Sequence, residues 1–396
     1  MNLPTSARAL LIALQTPTPK GTTGIPVILW GPPGVGKSSF LESLDQANFP
    51  VLTLIASIHD PTDFSGLPVH NNGSVQYAVP EWVQKFDKEG DGLLFLDELT
   101  TAPPSVQAAL LRVVLERKVG FHPLPKGVRI VAAANPPDLM VGGWDLSPPL
   151  RNRFVHLQWD LPTNVYIDAL SNGFPVADLP EIDAQRHAQI LPTWKLLVAA
   201  FLKRAPNLLH GSPEENPFGF ASPRTWDYAA HLLAACELAG HSPLEKGADV
   251  TPAVQLLTGA LGEGTTIAFM NFVQNIKLPD PAQVLDGEVE IDVSKLNDGE
   301  VYVLFGTLNN ILRERLEDDN LHESVLRYFD LLEAIFEAGK RDLVYVSMKQ
   351  IIKEGLLTRA MAAAQKDAAA LQKIMTGMTK LFSDTGLNEF IEVFEH

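Results

Sequence analysis

Short, largely apolar runs alternate with longer stretches of helical spacing in the first part of the chain. The apolar runs cover residues 25–30, 93–96 and 128–134, and a last one lies within 154–162. Runs of this length without polar alternation are typical of central strands covered on both faces. Helical stretches between such strands indicate an α/β fold with a parallel sheet. We therefore predict a sheet core over residues 25–162.

Beyond this core the pattern is helical. Apolar residues recur three or four positions apart, and proline or glycine ends each stretch. The spacing predicts one helical segment over residues 163–244 and a further, mostly helical domain over 245–396. Residues 1–24 are predicted to form a helix and a linker, with Ser6 as the N-cap. The proline- and acid-rich stretch 278–300 is expected to be an exposed connection.

The charge, the cysteine count and the lengths of the apolar runs indicate which partners and which cellular compartment to expect. The chain has 396 residues, a net charge of −16 and one cysteine, Cys236. An acidic chain disfavours a generic nucleic-acid surface, because duplex binding needs a basic patch that displaces counterions. A single cysteine excludes an intrachain disulfide and predicts a reducing, cytoplasmic compartment, with Cys236 as a small buried side chain. No apolar run reaches the roughly 18 residues of a membrane span.

A phosphate-binding loop is the strongest chemical signal. The pattern G-x-x-x-x-G-K-S lies between the strand that ends at Trp30 and a predicted helix. Glycines let a loop turn its N–H groups inward, and the helix N-terminus adds positive partial charge. Lys37 is expected to reach the β- and γ-phosphates of ATP, and the Ser38 hydroxyl to bind Mg²⁺. The predicted nucleotide contacts are Gly31, Pro32, Pro33, Gly34, Val35, Gly36, Lys37, Ser38 and Ser39.

Two later strands end in polar residues. The strand at 93–96 ends in Asp97 and Glu98, and the third strand ends in Asn135. Ligands bind at the carboxyl ends of strands in open α/β sheets. Asp97 is predicted to hold the Mg²⁺ shell, Glu98 to orient and deprotonate the attacking water, and Asn135 to hold that water or the γ-phosphate. Ordinary turns are the plain alternative, and the order of the motifs favours catalysis.

The motifs together resemble the AAA+ ATPases. The resemblance rests on residues 31–38, the pair at 97–98, Asn135 and the sequence LRNRF at 150–154, and it covers roughly residues 1–240. It implies a P-loop parallel-sheet core with helices on both faces. It also implies Mg²⁺-dependent hydrolysis of ATP to ADP and phosphate.

Finer features are similar to the MoxR-type branch, which shares an insertion with midasin and dynein modules. Residues 66–80 alternate around turn signals and predict the hairpin inserted in helix 2 of that branch, and a second hairpin precedes the Asn135 strand. The resemblance implies that 163–244 is a helical lid, and that Arg224 senses the phosphates in cis. Asn152 departs from the branch, where many members have Asp.

The two arginines of LRNRF are assigned by the same resemblance. It implies that Arg153 reaches the nucleotide of a neighbouring subunit, with Arg151 as a helper, in a ring that we expect to be hexameric. A guanidinium there neutralises charge that develops in phosphoryl transfer. Pairing of both arginines with local acids is the alternative. The implied role is remodelling or chaperoning of a protein client, often with a von Willebrand factor A domain partner.

Two other functions remain open. A nucleic-acid motor would show stimulation by nucleic acid with strong salt dependence, and the acidic composition weighs against it. A nucleotide-gated scaffold would bind ATP and barely hydrolyse it. The presence of Glu98 together with Arg153 weighs against the scaffold.

Overall fold

The computed structural model describes residues 3–71, 74–139, 143–173, 177–214, 216–245, 247–276, 279–316, 318, 321–353, 355–366 and 368–385. Among these residues no helix combines the length and the hydrophobicity that crossing a bilayer requires.

A five-stranded parallel sheet forms the centre of the first part of the chain. Its order is β2-β5-β8-β1-β9, and every neighbouring pair in it is parallel. The strands of the molecule are β1 (Val27–Trp30), β2 (Val51–Ile55), β3 (Leu67–Asn71), β4 (Ser74–Ala78), β5 (Asp91–Asp97), β6 (Lys118–Val119), β7 (His122–Pro123), β8 (Gly127–Ala134) and β9 (Val155–Gln158).

The apolar runs fold as the pattern predicts, because their residues are covered on both faces of the sheet. All four residues of β1 are buried, as are the five between the ends of β5. Consecutive side chains of a strand point to opposite faces, so burial of every residue requires layers on both sides. The α/β fold with a helical C-terminal region is confirmed.

Two small antiparallel pairs lie outside this sheet. β3 pairs with β4 inside the predicted hairpin segment 66–80, with Leu67 opposite Ala78, and β6 pairs with β7. The turn residues 72–73 of the first hairpin lie outside the described residues. The Tyr77 ring of the first hairpin packs edge-on against Phe121 of the second, with ring centroids 5.3 Å apart.

The described chain also contains seventeen α-helices, with loops and short 3-10 turns between them. They are α1 (Thr5–Gln15), α2 (Lys37–Glu42), α3 (Thr62–Ser65), α4 (Glu81–Glu89), α5 (Pro104–Glu116), α6 (Pro148–Arg151), α7 (Thr163–Asn172), α8 (Ala184–Arg204), α9 (Pro223–Leu238), α10 (Thr251–Leu261), α11 (Glu263–Gln274), α12 (Pro281–Leu285), α13 (Asp298–Glu314), α14 (Leu321–Glu337), α15 (Arg341–Lys353), α16 (Leu356–Ala363) and α17 (Ala368–Thr385).

The chain divides into two compact units. The first comprises Met1–Leu191 and Ala205–Gln274, and the second comprises Pro192–Arg204 and Asn275–His396. This division differs from the single domain expected over 245–396, because α10 packs against α1, α9 and β9 of the first unit. Helix α8 contributes to both units, and the division falls at its internal proline, Pro192.

The second unit has its own apolar core. Helices α12 to α17 contribute fully buried side chains to it, among them Phe305 and Tyr328, whose rings meet edge-on at 5.2 Å. Thr193 joins this unit through a hydrogen bond of 2.7 Å from the Asn310 amide. Met348 of α15 and Leu356 and Leu357 of α16 are fully buried in this core, whereas Met375 of α17 is exposed.

Candidate functional site

The phosphate-binding loop joins β1 to α2, and the local structure requires glycine at three of its positions. Gly34 and Gly36 have φ angles of +79° and +88°, a region that L side chains rarely adopt. A Cβ at Gly31 would lie 2.4 Å from the carbonyl oxygen of Trp159. The loop thus needs glycine for backbone conformation at two positions and for close approach at a third.

Lys37 is the cation of this loop. Its side chain is 8% exposed, and Nζ donates to the carbonyl oxygens of Gly31 at 2.6 Å and Pro32 at 3.1 Å. Burial lowers the pKa of Lys37 below its ordinary value, and the nearby Asp97 carboxylate partly offsets this effect. The ammonium therefore lies inside the loop, where phosphate oxygens would compete with the two carbonyls.

Ser38, in the first turn of α2, meets Asp97 at the carboxyl end of β5. The Ser38 hydroxyl donates to Oδ2 of Asp97 at 2.9 Å, although 59 residues separate them in the chain. A hydroxyl and a carboxylate are hard oxygen ligands of the kind that Mg²⁺ prefers. The two residues predicted to bind the metal are thus in direct contact, and their chemistry fits Mg²⁺.

Glu98 follows β5 in an unusual backbone conformation. Its φ is +54°, which only a few non-glycine residues adopt and which often marks functional positions. The Ser57 hydroxyl, which follows β2, donates to Oε2 of Glu98 at 3.2 Å. Sequence reasoning missed Ser57, because nothing in the local pattern distinguishes it from any other serine after a strand.

These side chains surround one small polar cavity. It has a volume of about 170 Å³ and is lined by Pro33, Gly34, Lys37, Ser38, Asp97, Glu98, Ala134 and Asn135. The strand ends of β1, β5 and β8 therefore bring together the residues predicted for the phosphates, the metal and the water. Asn135 is half-buried there.

A second, larger cavity lies on the other side of the loop, and sequence reasoning did not find it. Its volume is about 420 Å³, with Gly34 lining both cavities. Much of its wall is apolar or aromatic, including Leu3, Phe40, Trp159 and Tyr166. Cofactor pockets in proteins are mostly apolar with a few polar groups. The cavity therefore fits the base of a nucleotide whose phosphates occupy the polar cavity.

The Arg151 guanidinium is hydrogen-bonded to backbone groups of its own chain. Its Nη1 donates to the carbonyl oxygen of Asn216 at 2.9 Å, and its Nη2 to that of Pro213 at 2.8 Å. The guanidinium also lies 5.8 Å from the ring centre of Phe220. Burial lowers the pKa of Arg151, and Asp145 opposes that shift. Arg151 thus fixes the loop that precedes α9 and does not line the phosphate cavity.

Arg153 lies at the opposite end of the sheet from that cavity. It precedes β9, whose Val155 pairs with Val27 at the beginning of β1, while the phosphate loop follows the end of β1. Four strand residues cover about 13 Å. Arg153 donates to the carbonyl oxygen of Pro149, and both burial and the nearby Arg224 charge lower its pKa.

Arg224 lies beside Arg153 and Asn152. Its Nη1 donates to Oδ1 of Asn152 at 3.2 Å, and it does not line the phosphate cavity. The structure therefore does not bring Arg224 to the position from which it was expected to contact phosphates of its own subunit. Its charge lowers the pKa of Arg153, the arginine predicted to act on a neighbour.

His156 connects the strand before the phosphate loop to the arginine segment. Trp30 Nε1 donates to Nδ1 of His156 at 2.9 Å, so the ring proton is on Nε2, which donates to the Arg151 carbonyl oxygen at 3.0 Å. Burial lowers the pKa of His156 to about 4. The imidazole is therefore neutral and holds β1, β9 and α6 together.

Part of the chain that forms this site is similar to known proteins. Residues 26–154 match the AAA domain of the dynein-related subfamily. One curated relative is the Psp operon transcriptional activator of Escherichia coli (strain K12), which is 35% identical over 34% of this chain and 44% of its own length. Another is a Nif-specific regulatory protein of Rhizobium meliloti (strain 1021), which is 31% identical over 32% of this chain and 25% of its own length. This chain spans less than half the length of these relatives.

Among solved structures, a full-length MCM homologue from Methanopyrus kandleri is 18% identical, with a TM-score of 0.37, and the match covers 67% of this chain and 53% of that one. The family match spans the phosphate loop, the acidic strand end and Asn135. Residues 26–154 are therefore similar to an AAA domain, and the described chain has the α/β core and helical regions of the AAA+ fold.

Proposed function

We propose that this protein hydrolyses ATP with Mg²⁺ in an oligomer, and uses the hydrolysis to remodel partner proteins. One observation carries the proposal. The cavity gathers Lys37, Ser38, Asp97, Glu98 and Asn135, whereas the arginine expected to complete it lies at the other end of the sheet. Within the described chain, Lys37 is the one cation that lines this cavity.

Each cavity residue has a task in that reaction. The loop N–H groups and Lys37 bind the β- and γ-phosphates. Ser38 and Asp97 would hold Mg²⁺, which neutralises phosphate charge when bound. Glu98 accepts a proton from the attacking water and orients it, and Asn135 positions that water without adding negative charge.

The missing guanidinium comes from a second copy of the chain. Arg153 is too far from its own cavity to reach the phosphates, and its side chain is held by a single backbone carbonyl. In the neighbour's cavity it would stabilise the charge that develops on the transferred phosphoryl group, an effect of about 10³–10⁵ in rate. We propose a ring, with six copies as the expected number.

Mixed oligomers test the shared site. Glu98→Gln leaves the arginine intact and disables the cavity, whereas Arg153→Ala leaves the cavity intact and removes the arginine. Each variant alone should be inactive, and their mixture should recover turnover at interfaces that join an intact cavity to an intact arginine. If both variants associate normally and no mixture recovers turnover, the proposal of a shared site is wrong.

A protein client is supported by the exposed hairpins. Leu67, Val75 and Tyr77 of the first hairpin and Phe121 of the second are 57%, 61%, 44% and 71% exposed. Clustered exposed apolar side chains commonly mark protein contacts. The resemblance to the MoxR-type branch suggests a von Willebrand factor A domain protein as the partner. Purification of the native complex with Glu98→Gln as a trap, followed by mass spectrometry, would identify it.

Transcriptional activation is a second candidate, because one curated relative is named a transcriptional activator and the other a regulatory protein. The similarity to them spans 144 and 140 residues, which is about a third of this chain. A role on DNA would require stimulation of ATP turnover by duplex DNA, lost between about 50 and 200 mM salt. Unchanged turnover in the presence of DNA would exclude it.

A nucleotide-gated scaffold is tested by turnover itself. If Glu98→Gln changes steady-state hydrolysis by less than about twofold, binding and not hydrolysis is the function. A drop of about 10²-fold or more supports hydrolysis, since a general base contributes that much.

A further inference from the structure

Asn152 lies between Arg151, the last residue of α6, and Arg153, which precedes β9. Both the oxygen and the nitrogen of its side-chain amide are hydrogen-bonded. It is 7% exposed. Its Nδ2 donates to the carbonyl oxygen of Phe220 at 3.2 Å, and its Oδ1 accepts from Ser222 Oγ at 2.9 Å and from Arg224 at 3.2 Å. A carbonyl oxygen can only accept and a guanidinium can only donate. The partners therefore fix which end of the amide faces each of them.

These bonds set the beginning of α9. Ser222 is its N-cap, and its hydroxyl accepts from the Thr225 N–H at 3.2 Å in a capping box. Arg224 is the second residue of the helix. Because Asn152 binds both the cap and Arg224, it fixes the position of that guanidinium relative to the segment that carries Arg153.

The two guanidinium groups form a paired cationic surface. Arg224 donates to the side chain of Asn152, the residue that directly precedes Arg153, which brings the two arginines to the same place. In keeping with this, the charge of Arg224 lowers the pKa of Arg153. Neither side chain lines the phosphate cavity of its own chain. Two adjacent cations held apart from their own nucleotide match the anionic oxygens of a γ-phosphate bound elsewhere.

We propose that Asn152 is a positioning residue that holds Arg224 beside Arg153, so that both guanidinium groups enter the phosphate cavity of the neighbouring copy. The inference rests on the shared site proposed above. It assigns Arg224 to the neighbour's nucleotide, and it explains an amide at position 152.

A carboxylate at this position would act differently for two reasons. It cannot donate to the Phe220 carbonyl oxygen, so two acceptors would face each other in a buried site. It would also form an ion pair with Arg224, which would neutralise the charge that the phosphate needs. The amide holds the guanidinium and leaves its charge available.

The mixed-oligomer assay tests this assignment, because the same substitution can be placed on either of the two chains. Asn152→Asp is placed either on the Glu98→Gln chain, which donates the arginines, or on the Arg153→Ala chain, which donates the cavity. On the arginine donor it should lower turnover by about 10- to 100-fold, the scale expected for a misplaced catalytic group. On the cavity donor it should change turnover by less than about twofold.

Asn216→Asp is the matched control. Asn216 lies in the loop that precedes α9. Like that of Asn152, its side-chain amide both donates and accepts: it donates to the Gly219 carbonyl oxygen at 2.8 Å and accepts from the Phe218 N–H at 2.9 Å. Among the described residues, the Asn216 side chain bonds to Gly219 and Phe218 and to no arginine side chain. Because it supports the loop alone, this change should alter turnover equally on either chain.

Arg224→Gln provides a second variant that leaves Asn152 intact. It should reduce turnover on the arginine donor and not on the cavity donor. Equal losses at both positions with Asn152→Asp, no loss at either, or a loss on the cavity donor with Arg224→Gln would each overturn the inference. Failure of the unmodified pair to recover turnover would instead refute the shared site itself.

Discussion

Arg151 and Arg153 are two residues apart, and the structure predicts opposite consequences of removing them. Arg151→Ala deletes two hydrogen bonds from a cation to the carbonyl oxygens of Pro213 and Asn216. Arg153→Ala deletes one exposed bond to the carbonyl oxygen of Pro149. The first change should therefore lower stability, and the second should abolish hydrolysis without loss of stability.

The size of the first effect follows from its contacts. A hydrogen bond that involves a charged group contributes about 1.5–3 kcal/mol. Arg151 is half-buried, which places both bonds near the lower limit, so their loss costs about 3 kcal/mol. A change of 1 kcal/mol shifts the unfolding midpoint of a unit of 150–250 residues by about 2–4 °C. We expect Arg151→Ala to lower the midpoint of the first unit by roughly 6–12 °C.

Thermal unfolding and steady-state ATP turnover measure the two outcomes on the same preparations. Arg153→Ala should keep the midpoint within about 2 °C and lose about 10³-fold or more in turnover. Arg151→Lys retains the charge without the planar fork and should give an intermediate midpoint. Equal midpoints for the two alanine variants, with turnover lost in both, would refute the structural role of Arg151.

Three further predictions concern the cavity and its support. Ser57→Ala should lower kcat by about fivefold, the equivalent of a hydrogen bond of roughly 1 kcal/mol to the Glu98 carboxylate, with ATP affinity unchanged in equilibrium binding. Burial lowers the pKa of Lys37, so its side chain loses its positive charge at a lower pH than a free lysine, whose pKa is 10.5. ATP affinity should therefore fall as the pH rises toward 10.5. Lys37→Met should remove this pH dependence. His156 has a pKa of about 4 when folded against 6.5 in the unfolded chain, so its contribution to stability is present above pH 6.5 and is lost as pH falls to 4. Urea unfolding should show a loss of about 3 kcal/mol over that range, and a stability of His156→Phe that falls equally steeply would contradict this account.

The chemistry of the cavity could be predicted because it depends on local patterns. The strand, the glycine loop and the helix that begins at Lys37 are contiguous, and a buried strand that ends in Asp97 must reach the same sheet edge. Parallel pairing then brings Ser38 and Asp97 within hydrogen-bond distance. These contacts follow from the topology once the strands are identified.

Features that depend on distant residues could not be predicted. The apolar cavity joins Leu3 of the N-terminal segment to Trp159 after β9, and no local pattern connects them. The different environments of Arg151 and Arg153 depend on a loop more than sixty residues away, at Pro213 in the bond of Arg151. The cap expected at Ser6 is wrong, because α1 begins at Thr5 after Pro4 and buries Ser6.

The opposite placement of Arg153 and the phosphate cavity limits how copies can associate. In the ring that we propose, the cavity face of one copy meets the Arg153 face of the next, which is a heterologous contact between two different faces. With this contact a pair of copies would hold one completed site and one that lacks its arginine. Closure of the ring would then give every subunit a complete site, whereas an open filament would leave one nucleotide at its end without a partner.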